Sequence, residues 1–212
     1  RMVEFVHDST EQLANPRILD VATGTADVAL LLADRIPTAT VLGVDPSPNM
    51  LQVGREKIAD RGLSQRITLE EHDARKGFGS IEANSFDAAT MAFGIRNIVE
   101  KDQAFCQIHR ALRDQSLFCI LEFSEPDDSF GILGTGARFF IRNIIPTLGG
   151  ILSGKPREYL HLQNSIKDFP TPPDFVKLLE NTQCETGNFK VDELVQLNFG
   201  SDQLYVALVL HK

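Results

Sequence analysis

The residues from Arg17 to Asp45 constrain this chain more than any other stretch. An apolar run, Ile18-Leu19-Asp20-Val21-Ala22, leads into a turn of small residues, Thr23-Gly24-Thr25-Ala26-Asp27. An amphipathic pattern follows, Val28-Ala29-Leu30-Leu31-Leu32-Ala33, then a second apolar run, Thr40-Val41-Leu42-Gly43-Val44, which ends in Asp45. The order is strand, turn, helix, strand, with an acid toward the end of each strand. In open parallel α/β sheets a ligand lies outside the carboxyl ends of the strands, against the turn after the first one. A small residue there lets the backbone approach the ligand, and an acid about 20 residues on takes the ribose hydroxyls.

Charge narrows the choice of nucleotide. A dinucleotide fingerprint needs glycine at its first, third and sixth positions, so that a pyrophosphate sits on the helix N-terminus. Read from Gly24, the chain has Gly24-Thr25-Ala26-Asp27-Val28-Ala29, with one glycine and with Asp27 where phosphate would go. This argues against NAD. It favours a cationic ligand without phosphate, such as the sulfonium and amino group of S-adenosylmethionine. The competing reading of this turn alone is a plain βαβ unit with small residues at the bend.

A length of 212 residues allows one α/β domain with a sizeable core. The net charge of −8 offers no basic surface for a phosphate backbone, so nucleic acid is not an expected partner. Cys106, Cys119 and Cys184 are widely spaced, without a C-x-x-C pair. Cys106 and Cys119 lie in apolar patterns and read as core thiols, which suits a reducing compartment and argues against a metal site. No signal peptide or bilayer-length apolar run is evident. The opening residues, Met2-Val3-Glu4-Phe5-Val6, look like the tail of a helix, with a segment expected upstream.

Ser47 is the expected N-cap of a helix that runs to about Arg61 and stops at Gly62. Ile67 to Asp73 alternates as a third strand, and Ser85 to Phe93 reads as a fourth. Gly94-Ile95-Arg96-Asn97 then places two polar side chains at a strand's carboxyl end. Ala104, Phe105, Ile108, Ala111 and Leu112 recur at helical spacing, and Leu117 to Phe123 is a buried strand by composition. From Phe130 to Leu152 the chain is apolar and aromatic, interrupted by Arg138 and Arg142. It reads either as a core helix pair or as an apolar cover for a lipid-like substrate. Helices are expected over Lys155 to Asp168 and Pro172 to Asn181, and a hairpin over Lys190 to Leu197 and Leu204 to His211. The expected fold is α/β: a mostly parallel seven-stranded sheet with an antiparallel C-terminal hairpin and helices on both faces. It forms one domain over 1–212, with a substrate-covering insertion at about 126–183.

With these residues in view, the chain resembles the class I S-adenosylmethionine-dependent C-methyltransferases of ubiquinone and menaquinone biosynthesis. The resemblance is carried by Leu19 to Asp27, by Asp45 with Met50 to Lys57, and by Ala92-Phe93-Gly94-Ile95-Arg96-Asn97. Leu121-Glu122-Phe123-Ser124, Ile145-Pro146, Tyr159-Leu160 and the run from Ala207 to His211 extend it over nearly the whole chain. It implies methyl transfer from S-adenosylmethionine to a ring carbon of a polyprenyl quinol. Gly24-Thr25-Ala26-Asp27 and Leu162 to Pro170 lean toward demethylmenaquinol over the methoxy-benzoquinol of the ubiquinone branch.

The resemblance implies that Asp20, Gly24 and Thr25 sit by the methionine part of the cofactor and that Asp45 holds the ribose. Asp73 and Ala74 take the adenine end, and Met50 and Ala92 complete the cofactor set. Arg96 is the implied stabiliser of a developing phenolate, Asn97 orients a water or the ring oxygen, and Glu122 relays a proton or pairs with Arg96. Phe93, Tyr159 and His161 are the substrate-side candidates. The chain departs from the family at Ala26 (often glycine), at Ala92 (often serine) and at Arg113 to Ser116 (a K-P-G-G turn). The family's N-terminal stretch, which closes over the ligand, is not in this sequence. A non-catalytic scaffold subunit of a quinone-synthesis complex stays open beside the enzyme. A short-chain dehydrogenase is set aside, because Tyr159 is followed four residues on by Gln163, not lysine. The expected setting is the bacterial cytoplasm, at the inner face of the membrane with peripheral contact, or the matrix side in a eukaryote. A homodimer is the expected assembly.

Overall fold

The computed structural model describes residues 1–79, 81–123, 169–198 and 201–212. Its strands are β1 (Arg17–Val21), β2 (Thr40–Asp45), β3 (Ile67–Glu71), β4 (Phe86–Ala92), β5 (Leu112–Phe123), β6 (Gly187–Leu197) and β7 (Asp202–His211). They form a single sheet in the order β3-β2-β1-β4-β5-β7-β6. β3, β2, β1, β4 and β5 run parallel, and β7 is antiparallel to both β5 and β6. This is the expected mostly parallel sheet with a closing hairpin. β1 sits between β2 and β4, so the strand order reverses at its edges, and that switch point opens a crevice at the carboxyl ends.

Helices cover both faces, because each central strand presents apolar side chains on both. Ile18, Val41, Ala88, Cys119 and Val206 face one core, and Leu19, Val44, Ala89, Ile120 and Tyr205 face the other. The first core is closed by α1 (Met2–Thr10), α2 (Asp27–Arg35) and α3 (Pro48–Asp60), through Val6, Leu32, Leu51 and Ile58. The second is closed by α4 (Lys101–Ala111) and α5 (Pro172–Asn181), through Phe105, Ile108, Phe175 and Leu179. The helical end of the expected insertion, α5, is therefore core. The apolar stretch from Phe130 to Leu152 and the helix expected over Lys155 to Asp168 lie outside the described residues.

Local chemistry sets the boundaries. The Ser47 hydroxyl accepts the Met50 N–H at 3.4 Å at the start of α3, and Gly62, at φ +66°, follows its end. β5 begins at Leu112, five residues before the apolar run suggests. Leu112 leaves α4 and pairs with Phe86, while the polar residues Arg113 to Ser116 bulge out before pairing resumes at Leu117. The bulge is held by the Ser116 hydroxyl on the Arg113 carbonyl at 2.6 Å, and exposed Gln115 takes φ +60°.

Cys106 is not the free core thiol expected from its apolar surroundings. It forms a disulfide with Cys184, joining α4 to the residues before β6, with 5.1 Å between Cα atoms. Buried Cys119 is the free thiol. The partners lie 78 residues apart, so no local pattern announces the bridge. By loop-closure entropy a bridge of this span contributes about 4 kcal/mol. Thiol titration of the unfolded, unreduced protein should count one free cysteine, and reduction should lower the thermal midpoint by several degrees. A count of three would remove the bridge.

Gln115 makes a second expectation. A side chain at φ +60° is strained by about 1–2 kcal/mol and this one buries nothing, so Gln115→Gly should raise stability by about 1 kcal/mol in a denaturant titration.

Candidate active site

The crevice at the switch point is a cavity of about 840 Å³. It is lined by Asp20, Gly24, Thr25, Asp45, Met50, Asp73, Ala74 and Ala92, which are all eight residues expected to meet the cofactor. Phe93 and Asn97 line it too, whereas Arg96 and Glu122 do not. Tyr159 and His161 lie outside the described residues.

Two buried carboxylates form its polar floor. Asp20 is 1% exposed and accepts the Thr23 hydroxyl at 2.6 Å and the Thr90 hydroxyl at 2.7 Å, one on each oxygen. Burial pushes its pKa up to about 6, despite those two hydrogen bonds, and the neighbouring Asp45 adds to the rise. Asp45 accepts the Gly24 N–H at 3.0 Å on one oxygen and the Ser47 N–H at 2.8 Å on the other. Each Asp45 oxygen keeps a lone pair for a further donor, which suits two vicinal hydroxyls.

The glycine turn is shaped for close approach. Gly24 has φ +55°, and a Cβ there would meet the Met50 methyl at 2.9 Å, so Met50 folds over the turn. Ala22 and Ala26 also take positive φ, at +54° and +64°. On the opposite wall, a Cβ on Gly94 would come within 2.5 Å of the Ala22 Cβ. The two backbones touch there without room for a methyl group.

Two expected contacts are already engaged. The Thr25 hydroxyl donates to Asp27 at 2.8 Å and accepts from the Lys57 ammonium at 2.9 Å. Lys57 also binds Asp27 at 2.8 Å, so the Asp27 charge is compensated. The negative potential that discourages a phosphate therefore comes from Asp20 and Asp45, and not from Asp27 as the sequence suggests. At the far end, Arg75 holds Asp73 through a two-pronged ion pair at 2.7 and 2.9 Å and keeps its pKa down to about 2. Asp73 remains an acceptor at all moderate pH values.

Arg96 and Glu122 bind each other behind the wall. The Arg96 Nη1 donates to Glu122 at 2.5 Å and to the Phe93 carbonyl at 2.8 Å, and the Arg96 N–H reaches the other carboxylate oxygen at 3.2 Å. The guanidinium lies over the Phe123 ring at 5.3 Å, and Phe123 stacks on Phe93 at 4.4 Å. Glu122 is wholly buried, and burial raises its pKa while Arg96 opposes the rise. The pairing alternative for Glu122 is thus the arrangement present. Arg96 stands on a short 3-10 helix, Ile95–Asn97, which turns Asn97 to the cavity and Arg96 to Glu122.

Several lining residues carry no sequence signal of their own. Met2 and Val3 come from α1 and Leu197 from β6, and only the fold brings them to the mouth. His72 lines the cavity beside Asp73, with its Nε2 on Glu70 at 2.9 Å. Its place directly before Asp73 is the signal that would have found it.

The donor set fits a cationic nucleoside. A buried acid with a raised pKa lacks a cation, an oriented carboxylate keeps two free lone pairs, and the turn between them admits a ligand against the backbone. This fold and this site define a class I methyltransferase that takes S-adenosylmethionine. Among solved structures, an S-adenosylmethionine-dependent methyltransferase from Aquifex aeolicus superposes with a TM-score of 0.67, at 16% identity, over 98% of this chain and 89% of that one. The ubiE/COQ5 methyltransferase family matches residues 2–195, and this chain belongs to that family. A demethylmenaquinone methyltransferase of Thermus thermophilus is 38% identical over 165 residues, 78% of this chain and 72% of that protein. One of Bacteroides fragilis is 35% identical over 196 residues, 90% and 74% of the two chains. A ubiquinone/menaquinone biosynthesis C-methyltransferase of Geobacter sp. strain M21 is 38% identical over 156 residues, 73% of this chain and 64% of that protein.

The Asp20 geometry sets a pH dependence. Its folded pKa near 6 lies above the ordinary 3.8, so its ionisation costs stability as pH rises from about 4 to about 6. A bound cation reverses that cost and draws the pKa back down. S-adenosylmethionine affinity, read by calorimetry, should therefore weaken about tenfold from pH 7.5 to pH 5. Asp20→Asn should flatten that slope, lower affinity and raise the melting temperature at pH 7.5. An unchanged slope in Asp20→Asn would clear Asp20 of this role.

Proposed function

We propose that this chain moves a methyl group from S-adenosylmethionine to a ring carbon of a polyprenyl quinol, with demethylmenaquinol as the acceptor. The observation that carries the reading is the family match across residues 2–195, which runs through the strand ends that build the cavity. The names of the Thermus and Bacteroides relatives support a naphthoquinol. The Geobacter relative's name covers both quinone branches and favours the benzoquinol as second reading.

When bound, S-adenosylmethionine supplies an electrophilic methyl group on a sulfonium. The chain's task is to hold it and the quinol in line and to favour charge on the quinol oxygen. Asp20 faces the cationic end, Asp45 the ribose, and Asp73 with Ala74 the adenine. Asn97 presents an amide to the ring oxygen from the wall opposite the glycine turn. Phe93, Ile98 and Leu121 give that wall an apolar surface that keeps water from the reacting carbon. Arg96, braced by Glu122, places a positive charge behind it.

The mouth of the cavity supports a lipid-soluble acceptor. Leu31 is 56% exposed, Met50 44% and Val53 43%, all on the helices that flank the opening. That apolar rim suits peripheral contact with a membrane that holds the quinol. No helix among the described residues is long and apolar enough to cross one.

The test is methyl transfer from labelled S-adenosylmethionine to each demethylated quinol under reducing conditions. The naphthoquinol should be preferred about tenfold or more in kcat/KM. Asn97→Ala should lower kcat about 100-fold, with S-adenosylmethionine affinity within about twofold of wild type. Arg96→Ala is the poorer probe, because it strands a buried Glu122 charge and costs about 3–5 kcal/mol of stability. Transfer to neither quinol would sink the reading and favour a scaffold subunit.

A further inference from the structure

Tyr205 sits in the middle of β7, wholly buried, with the Phe175 ring 4.6 Å away. Among the described residues its hydroxyl has no hydrogen-bond partner. A phenylalanine would fill the same space without burying an unpaired polar group. Across the sheet Tyr205 pairs with Ile120 of β5. Glu122 lies two residues further along the same face, so Tyr205 and Glu122 are diagonal neighbours within reach of long side chains. The phenol feels that carboxylate, because burial first and Glu122 second raise its pKa.

The carboxylate has room for another donor. One oxygen accepts the Arg96 Nη1 and the Phe123 N–H, while the other accepts only the 3.2 Å bond from the Arg96 N–H. The Arg96 Nε is a second buried donor with no partner among the described residues. Lys101 is the other cation near Glu122, and its ammonium donates to the Ile98 carbonyl at 2.6 Å. One unpaired donor thus belongs to a buried ion pair and the other adjoins it, beside a 3-10 helix whose last residue, Asn97, faces the cavity.

We propose that Tyr205 is a standby donor to Glu122: when a quinol oxygen draws Arg96 out of its bond with Glu122, the Tyr205 hydroxyl takes that place on the carboxylate. The inference rests on the quinol reading above. It gives each unpaired donor a partner in the second pose, the carboxylate for Tyr205 and the ring oxygen for Arg96. No covalent bond changes and no proton is transferred. Glu122 stays hydrogen-bonded, and Arg96 is released toward the developing phenolate. Tyr205 is accordingly a positioning residue that acts through Glu122 and touches no ligand.

The test compares Tyr205→Phe with wild type. Tyr205→Phe should lower kcat about tenfold, leave S-adenosylmethionine affinity unchanged, and melt at or above the wild-type temperature. The chain holds two tyrosines and no tryptophan, so ¹³C labelling at the tyrosine ring carbon bearing the hydroxyl gives two signals. Tyr159→Phe assigns them. The Tyr205 signal of the wild-type protein should shift when S-adenosylhomocysteine and demethylated naphthoquinol are added together. Wild-type kcat in Tyr205→Phe, or a Tyr205 signal that does not move, overturns the inference while leaving the quinol reading intact. A wild-type protein that methylates no quinol overturns both.

Discussion

The site depends on two carboxylates that hold one turn between two strands. Asp20 at the end of β1 takes the Thr23 hydroxyl, Asp45 at the end of β2 takes the Gly24 N–H, and the Thr23 N–H reaches the Val44 carbonyl at 3.1 Å. The turn from Ala22 to Ala26 is thereby tied to both strands. Its positive-φ residues are kept in place by that tie even where they are alanine and not glycine. The same two acids give the crevice its negative potential. One arrangement therefore shapes the backbone for close approach and selects the charge of what approaches.

Such a site opposes the stability of the protein that carries it. Asp20 would be more comfortable protonated, and a protonated floor would have little attraction for a cation. Glu122 has the opposite history. Its charge is buried just as completely, yet Arg96 and two backbone N–H groups surround it. Asp20 therefore faces outward in its chemistry and Glu122 inward. The difference comes from whether a cation of the chain itself is within reach, and for Asp20 none of the contacts is a cation.

Much of this is legible in the sequence because its causes are local. Strand and helix periods, the Ser47 cap and the acids at strand ends are properties of a few consecutive residues. With the family resemblance they point to eight residues that the fold brings to one cavity. What is hidden depends on distant partners. The Cys106 bridge needs Cys184, and the β5 start needs Phe86. The compensation of Asp27 needs Lys57, thirty residues on. Each of these involves a contact across the fold that no window of sequence contains.

Arg96 shows why a residue type at a strand end does not fix a role. Its position after Gly94 is that of a group poised over the cavity, and Asn97 does face it. A 3-10 turn separates successive side chains by about 120°, so both neighbours cannot share one direction. Glu122, on the face of β5 that also carries Ile120, captures the guanidinium, and the Phe93–Phe123 stack closes over it. The charge is held behind the cavity wall, paired with Glu122. That placement leaves Asn97 as the polar side chain of the Gly94–Asn97 segment in direct view of a ligand, and it makes the ion pair a brace for the wall on which Asn97 stands.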